Sequence, residues 1–247
     1  MKLSNYILTG ADTDAMFLCK HDQSPWTKEE QELFLQNLNE QFPEHIKFEH
    51  DGIYQSAVIN KAKNYVMKKF NGEVVIKGSS FKSSTKEPAL RELQIELVNE
   101  MLGNNDLSVI TNIYRKYLEE AKNITDIKRW CVKKTYTKKV EESERLNETK
   151  VKDAINEGIA KGVLSSIQQG DKVYLYQTID GVKQKVVKGV SLVYKKTGLP
   201  MMQDNKILRL VELYNYDGDA AHYMKRVEDT LYILETVLPV KDIISSL

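Results

Sequence analysis

The 247 residues, 41% of them hydrophobic, can bury one sizeable core or two modest ones. No apolar run approaches the roughly 20 residues of a membrane span, and the first five residues lack the apolar centre of a signal peptide, so a soluble, cytoplasmic protein without a membrane partner is expected. A net charge of +1 excludes neither acidic nor basic partners, while two distant cysteines, Cys19 and Cys131, support neither a disulfide framework nor a cysteine zinc site.

Along the chain, Tyr6–Thr9 and Met16–Leu18 read as short apolar strands around a polar turn, Gly10 to Asp14. Thr27 and Glu30 have capping-box spacing, and Leu33, Phe34 and Leu38 continue a helix toward Pro43. Extended stretches follow at Ile46–Phe48, Ala57–Ile59 and Val74–Ile76, broken by Asp51-Gly52 and Asn71-Gly72 turns. After Ser83 the pattern becomes helical. Leu90, Leu93, Leu97 and Met101 form one stripe, and a second helix is predicted from Asp106 to Ala121. Val151–Ile159 predicts a further helix, Lys172–Tyr176 a strand, and Asp180-Gly181 a tight turn before an extended run over Val182–Val187. Tyr223, Val227, Leu231, Leu234 and Leu238 predict one C-terminal helix. The fold class expected is α+β, with a boundary near residue 83.

Charge is unevenly placed. Residues 61–86 hold seven lysines against Glu73, and residues 122–139 hold seven basic side chains against Asp126, which leaves the other 203 residues at −11. Such concentration suits a surface that tracks phosphates, although solvated lysine faces are the usual explanation of runs of this kind. Asp12 and Asp14, one residue apart in a turn, could direct hard carboxylate oxygens at one cation. Aspartate in turns also serves its own backbone. His21, His45, His50 and His222 show no metal-ligand spacing.

The stretch from Tyr6 through Asp12-Thr13-Asp14 to Phe17 resembles motif C of family B DNA polymerases, usually written YGDTDS, which lies on a hairpin of the palm. Phe48 to Tyr54, followed by Lys61-Ala62-Lys63-Asn64-Tyr65, is similar to the family's segment running from an acidic strand to its K-x-Y motif. Val75-Ile76-Lys77-Gly78 resembles the K/R-G element closing the palm. Trp130–Lys139 resembles a thumb segment that grips duplex DNA, and Gly170–Tyr176 the family's GD-K/R-V-x-Y strand.

This resemblance implies a partial palm over residues 1–83, an antiparallel sheet with a helix, and a mainly helical thumb with a small β-hairpin over 84–247. It implies that Asp14 bridges two magnesium ions about 4 Å apart, with Asp12 supporting. Asp51, or Glu49 in its place, would sit on an acidic strand near the metals. Lys63 and Tyr65 would hold the primer end, Lys77 and Gly78 would contact the new duplex, and Lys133, Lys134 and Lys138 would grip its phosphates.

The sequence also departs from the pattern. Gly10, Ala11 and Ala15 stand where the family has Tyr, Gly and Ser; Ala62 and Asn64 replace basic residues, and Ser80 stands where many members have Glu. Motif A, with its aspartate, and motif B, which binds the incoming nucleotide, are absent from the 247 residues. With Met1 so near motif C, the resemblance implies the smaller piece of a phage or archaeal polymerase encoded in two parts, or a truncated product. Its partners would be primer–template DNA, an N-terminal polymerase subunit and, through that subunit, a dNTP. A non-catalytic duplex-binding module is the alternative, and an unrelated α+β binding protein a third.

Overall fold

The computed structural model describes residues 6–12, 15–61, 63–78, 86–142, 145–178, 192–194, 200–202 and 207–246. β1 (Tyr6–Asp12) and β2 (Ala15–Lys20) make an antiparallel hairpin tighter than expected, because Gly10, Ala11 and Asp12 are strand residues paired with Phe17, Met16 and Ala15. The register slips between Leu8 and Gly10, and the Thr9 hydroxyl donates to the Phe17 carbonyl at 3.0 Å, as at a bulge that adds twist.

Thr27 caps α1 (Lys28–Asn39) as its spacing predicts: the Glu30 N–H donates to Thr27 Oγ1 at 3.2 Å and the Thr27 N–H to Glu30 Oε2 at 2.8 Å. Glu30 also accepts from Lys20 Nζ at 2.8 Å, which holds its carboxyl below the ordinary value. Tyr6 stacks on Trp26 with ring centroids 4.8 Å apart, and Phe34 meets both edge-on.

Ile46–Phe48 belongs to no strand. The Asn39 side chain accepts from the Phe48 N–H at 2.6 Å and donates to its carbonyl at 3.0 Å, occupying the backbone groups a neighbouring strand would need. Sheet resumes at β3 (Ser56–Lys61), β4 (Asn64–Lys68) and β5 (Val74–Lys77), antiparallel in the order β3-β4-β5. Gly72, with φ +85°, serves the expected Asn71-Gly72 turn.

Helices α2 (Pro88–Leu102) and α3 (Leu107–Lys122) follow, then a 3₁₀ turn at Ile127–Arg129, β6 (Val132–Thr135), α4 (Lys138–Glu142), α5 (Leu146–Ala160) and β7 (Lys172–Thr178). β8 (Leu192–Tyr194) pairs with β9 (Pro200–Met202), and β10 (Ile207–Leu210) precedes α6 (Ala220–Tyr232) and α7 (Val240–Ser245). The Asp180-Gly181 turn and the run over 182–187 lie outside the described residues. The predicted C-terminal helix stops at Tyr232: Leu234 and Leu238 are buried but sit in a turn, where the Leu234 carbonyl accepts from the N–H groups of Val237 and Leu238 before Pro239.

The chain divides into two units. One comprises Met1–Lys82 with Leu97–Leu107 and Ile233–Ser246, so the division is not a single cut at residue 83; the other comprises Ser83–Glu96 and Ser108–Tyr232, with Leu247. The first unit buries Val58, Val66 and Met67 of its sheet, Leu97, Val98 and Leu102 of α2, and Leu234, Leu238, Val240 and Ile243. In the second, Leu90, Leu93, Ile110, Tyr117, Trp130, Tyr223 and Leu231 are fully buried. Its sheet, in the order β10-β7-β6, packs Val173, Leu175 and Leu210 on Val151, Ala154 and Ile155 of α5. The architecture is α+β.

Candidate nucleic-acid interface

β3 and β4 are joined through Lys63, whose φ of +61° is a left-handed conformation uncommon for a lysine. That turn leaves Lys63 exposed and starts β4 so that Tyr65 pairs directly with Lys77 of β5. Gly78 follows with φ +97°, and a Cβ built there would overlap the Lys63 carbonyl oxygen and the Asn64 amide. Lys63, Tyr65, Lys77 and Gly78, predicted from two separate motifs, therefore meet at one end of one sheet. The strand register makes the meeting, and glycine at 78 permits the close approach.

The β1–β2 hairpin packs on this sheet. The Phe17 ring meets the Tyr65 ring at 4.9 Å, and a Cβ at Gly10 would lie 3.1 Å from Ile59 Cδ1. Gly10 pairs with Phe17 and Ile59 with Tyr65, so one residue pair rests on the other. Gly10, a departure from the motif, thus gives the contact its room. Sequence reading did not single out Phe17, Ile59 or Asn64 for this site; the burial alternation of the strands was the available signal. In the β3–β4 ladder the register slips at Asn60, which is buried, and the Thr236 hydroxyl lies 2.8 Å from both its carbonyl and its side-chain oxygen.

Asp12 closes β1 opposite Ala15, two residues beyond Gly10. Asp14 lies outside the described residues, and among those described no cluster of three or more His, Cys, Asp or Glu could hold a metal ion. Carboxylate oxygens at this hairpin suit magnesium by chemistry, but Asp12 and Asp14 alone would leave most of its coordination to other donors. Glu49 and Asp51 are exposed on irregular backbone between Phe48 and β3, not on an acidic strand, because Asn39 holds that segment out of the sheet.

In the second unit Lys133 and Lys134 are exposed on β6 and form no ion pair among the described residues. Lys133 pairs with Tyr174 of β7, which is 43% exposed, placing an aromatic ring and an ammonium on one open strand pair. The alternation in Lys172-Val173-Tyr174-Leu175 was a legible signal for Tyr174. Lys138 is exposed but lies 3.6 Å from Glu142, and Lys139 is 3.4 Å from Glu148. Arg129, counted in the basic run, is internally committed: it reaches Glu92 and Glu120, each at 2.7 Å, and its hydrogen bond to Glu120 raises its pKa further.

No protein-family model matches the chain, and no curated protein does. By fold it is an α+β chain that resembles part of a nucleic-acid polymerase. The solved family B DNA polymerase of the hyperthermophilic archaeon Pyrobaculum calidifontis is similar to it with a TM-score of 0.64 at 15% identity, over 94% of this chain and 27% of that one. The chain thus spans little more than a quarter of that polymerase. No helix of the described residues is long and apolar enough to cross a membrane.

Proposed function

We propose that the chain is the C-terminal palm and thumb of a family B DNA-directed DNA polymerase, and that a second, N-terminal polymerase subunit supplies motifs A and B. The observation that carries this reading is the convergence of Lys63, Tyr65, Lys77 and Gly78 on one sheet end, against the hairpin that bears Asp12. The likeness in fold to the Pyrobaculum calidifontis enzyme supports it.

In this reading Asp14 and Asp12, with the partner's carboxylate, would hold magnesium, which would supply Lewis-acid stabilisation for attack by the primer 3′ hydroxyl and departure of pyrophosphate. Lys63 places its ammonium on a primer phosphate, and the Tyr65 ring, braced by Phe17, fixes the sugar beside it. Gly78 lets the duplex approach the backbone while Lys77 meets a phosphate. Lys133 and Lys134 hold duplex phosphates without regard to sequence, with Lys138 adding charge at the start of α4.

The test is primer extension with magnesium, using this chain mixed with an N-terminal chain that carries motifs A and B. Synthesis that needs both chains and falls at least a hundredfold with Asp14→Ala is expected, since a metal-binding carboxylate supplies several kcal/mol to the transition state. Undiminished synthesis by Asp14→Ala would overturn the assignment.

A further inference from the structure

The second unit carries a cleft of about 270 Å³ lined by Lys122, Asn123, Thr125, Tyr214, Tyr216 and Gly218, among others, and the function proposed above leaves it unused. Its most exposed wall is Tyr216, at 77%, the most exposed of the large hydrophobic side chains among the described residues. Tyr216 also has φ +54°, a conformation that is a genuine outlier for a bulky residue. Such strain persists only where the surroundings over-determine it, and here they do. The Asp217 carboxylate, one residue on, accepts from the Tyr176 hydroxyl at 2.7 Å, the Thr178 hydroxyl at 2.8 Å and the Arg209 guanidinium at 2.8 Å, while the Tyr214 hydroxyl is tied to the Ile124 carbonyl at 2.7 Å. Burial raises the Asp217 pKa, but the bonds from Tyr176 and Thr178 outweigh it and hold the group ionised below the usual carboxylate range.

An anchored loop thus holds one tyrosine ring out in water, 5.5 Å from the ring of Tyr214, which is itself backed edge-on by Tyr176 at 5.3 Å. A flat aromatic surface kept wet at the expense of backbone strain is a platform for another flat ring. Across the cleft, Lys122 ends α3 exposed and without an ion pair among the described residues, and Asn123 and Thr125 add exposed polar groups. Aromatic face, ammonium and hydrogen-bonding rim together match one nucleotide of an unpaired strand: base on ring, phosphate on lysine, base edge on the amide and hydroxyl. The volume falls just below the roughly 300–1,000 Å³ of drug-sized pockets, which suits a single base and not a larger ligand.

We propose that this cleft is a stacking site for a base of single-stranded nucleic acid, with Tyr216 as the platform and Lys122 as the phosphate contact. It needs no catalytic activity, so failed primer extension would leave it standing, and its own failure would leave the polymerase reading standing.

The test is fluorescence anisotropy of a labelled oligo-dT against a labelled duplex of equal length. Tyr216→Ala should weaken oligo-dT binding about tenfold, Tyr216→Phe should keep it, and neither should change duplex affinity. Lys122→Ala should lower the salt dependence of oligo-dT binding by about one counterion. Oligo-dT affinity unchanged by Tyr216→Ala, or duplex affinity lost in equal measure, would overturn the proposal. Should Tyr216→Ala disturb the loop, a Tyr216→Phe variant as weak as the alanine one would overturn it as well.

Discussion

Gly78 shows how much the sheet end shared by Lys63, Tyr65 and Lys77 depends on one missing side chain. Its φ of +97° disfavours any L-residue, and a Cβ there would overlap the Lys63 carbonyl oxygen. Gly78→Ala should therefore destabilise the first unit by about 1 to 3 kcal/mol, read from urea unfolding. An unchanged midpoint would mean that the Lys63 turn yields freely. Gly72 is the control, because its φ is also positive yet nothing lies within 4 Å of its Cβ position, so alanine there should cost less. The sequence revealed the residue types of this site but not their meeting, since the left-handed turn at Lys63 has no signature in the Lys-Ala-Lys-Asn string. The sequence places Asp12 within a turn, whereas it pairs with Ala15 as the last residue of β1, and the acidic strand implied for Glu49 and Asp51 does not form because nothing local announces that Asn39 claims the Phe48 backbone.

Helices were read more faithfully than strands. The α1 capping box rests on bonds within one element, and the fully buried Leu90–Leu93–Leu97 stripe follows the helical period that sequence records directly. β4 escaped notice because Asn64–Lys68 is partly polar and becomes a strand only between two partners. The C-terminal helix is shorter than its spacing predicts, because Leu234 and Leu238 stay buried at helical intervals after the helix has ended. Less visible still is the tie between α2 and α6. Glu87, 3% exposed just before α2, accepts from Arg226 of α6 at 2.7 and 3.0 Å, a bond spanning 139 residues of sequence. That bond raises the Arg226 pKa further. Glu87→Gln leaves the guanidinium with a weaker acceptor. Arg226 keeps 35% of its side chain in water, which limits the cost to about 2 to 3 kcal/mol, short of the full roughly 3–5 for a wholly buried pair. Thermal unfolding checks this, and an unshifted midpoint would show that water replaces the lost oxygen.

The charge of the chain as a whole conceals its distribution, and the structure refines which cations are available. Of the basic run over 122–139, Arg129 is spent on Glu92 and Glu120, and Lys138 and Lys139 lie near glutamates. Lys133 and Lys134 remain open on β6, beside Tyr174. Charge counting alone could not separate these cases, because an ion pair across the fold and a solvated lysine read alike in sequence. Binding to duplex DNA through open lysines releases counterions, so affinity falls with salt by about 0.9 in log–log slope for each phosphate neutralised. A Lys133→Ala, Lys134→Ala double variant should lower that slope by about two and weaken all duplex sequences alike, whereas Lys139→Ala, whose ammonium is already shared with Glu148, should lower it by less than one. Titrating a labelled duplex across a range of salt concentrations measures both. An equal slope for the double variant and the unaltered chain would remove β6 from the proposed interface and leave Lys63, Lys77 and Lys138 to carry whatever salt dependence remains.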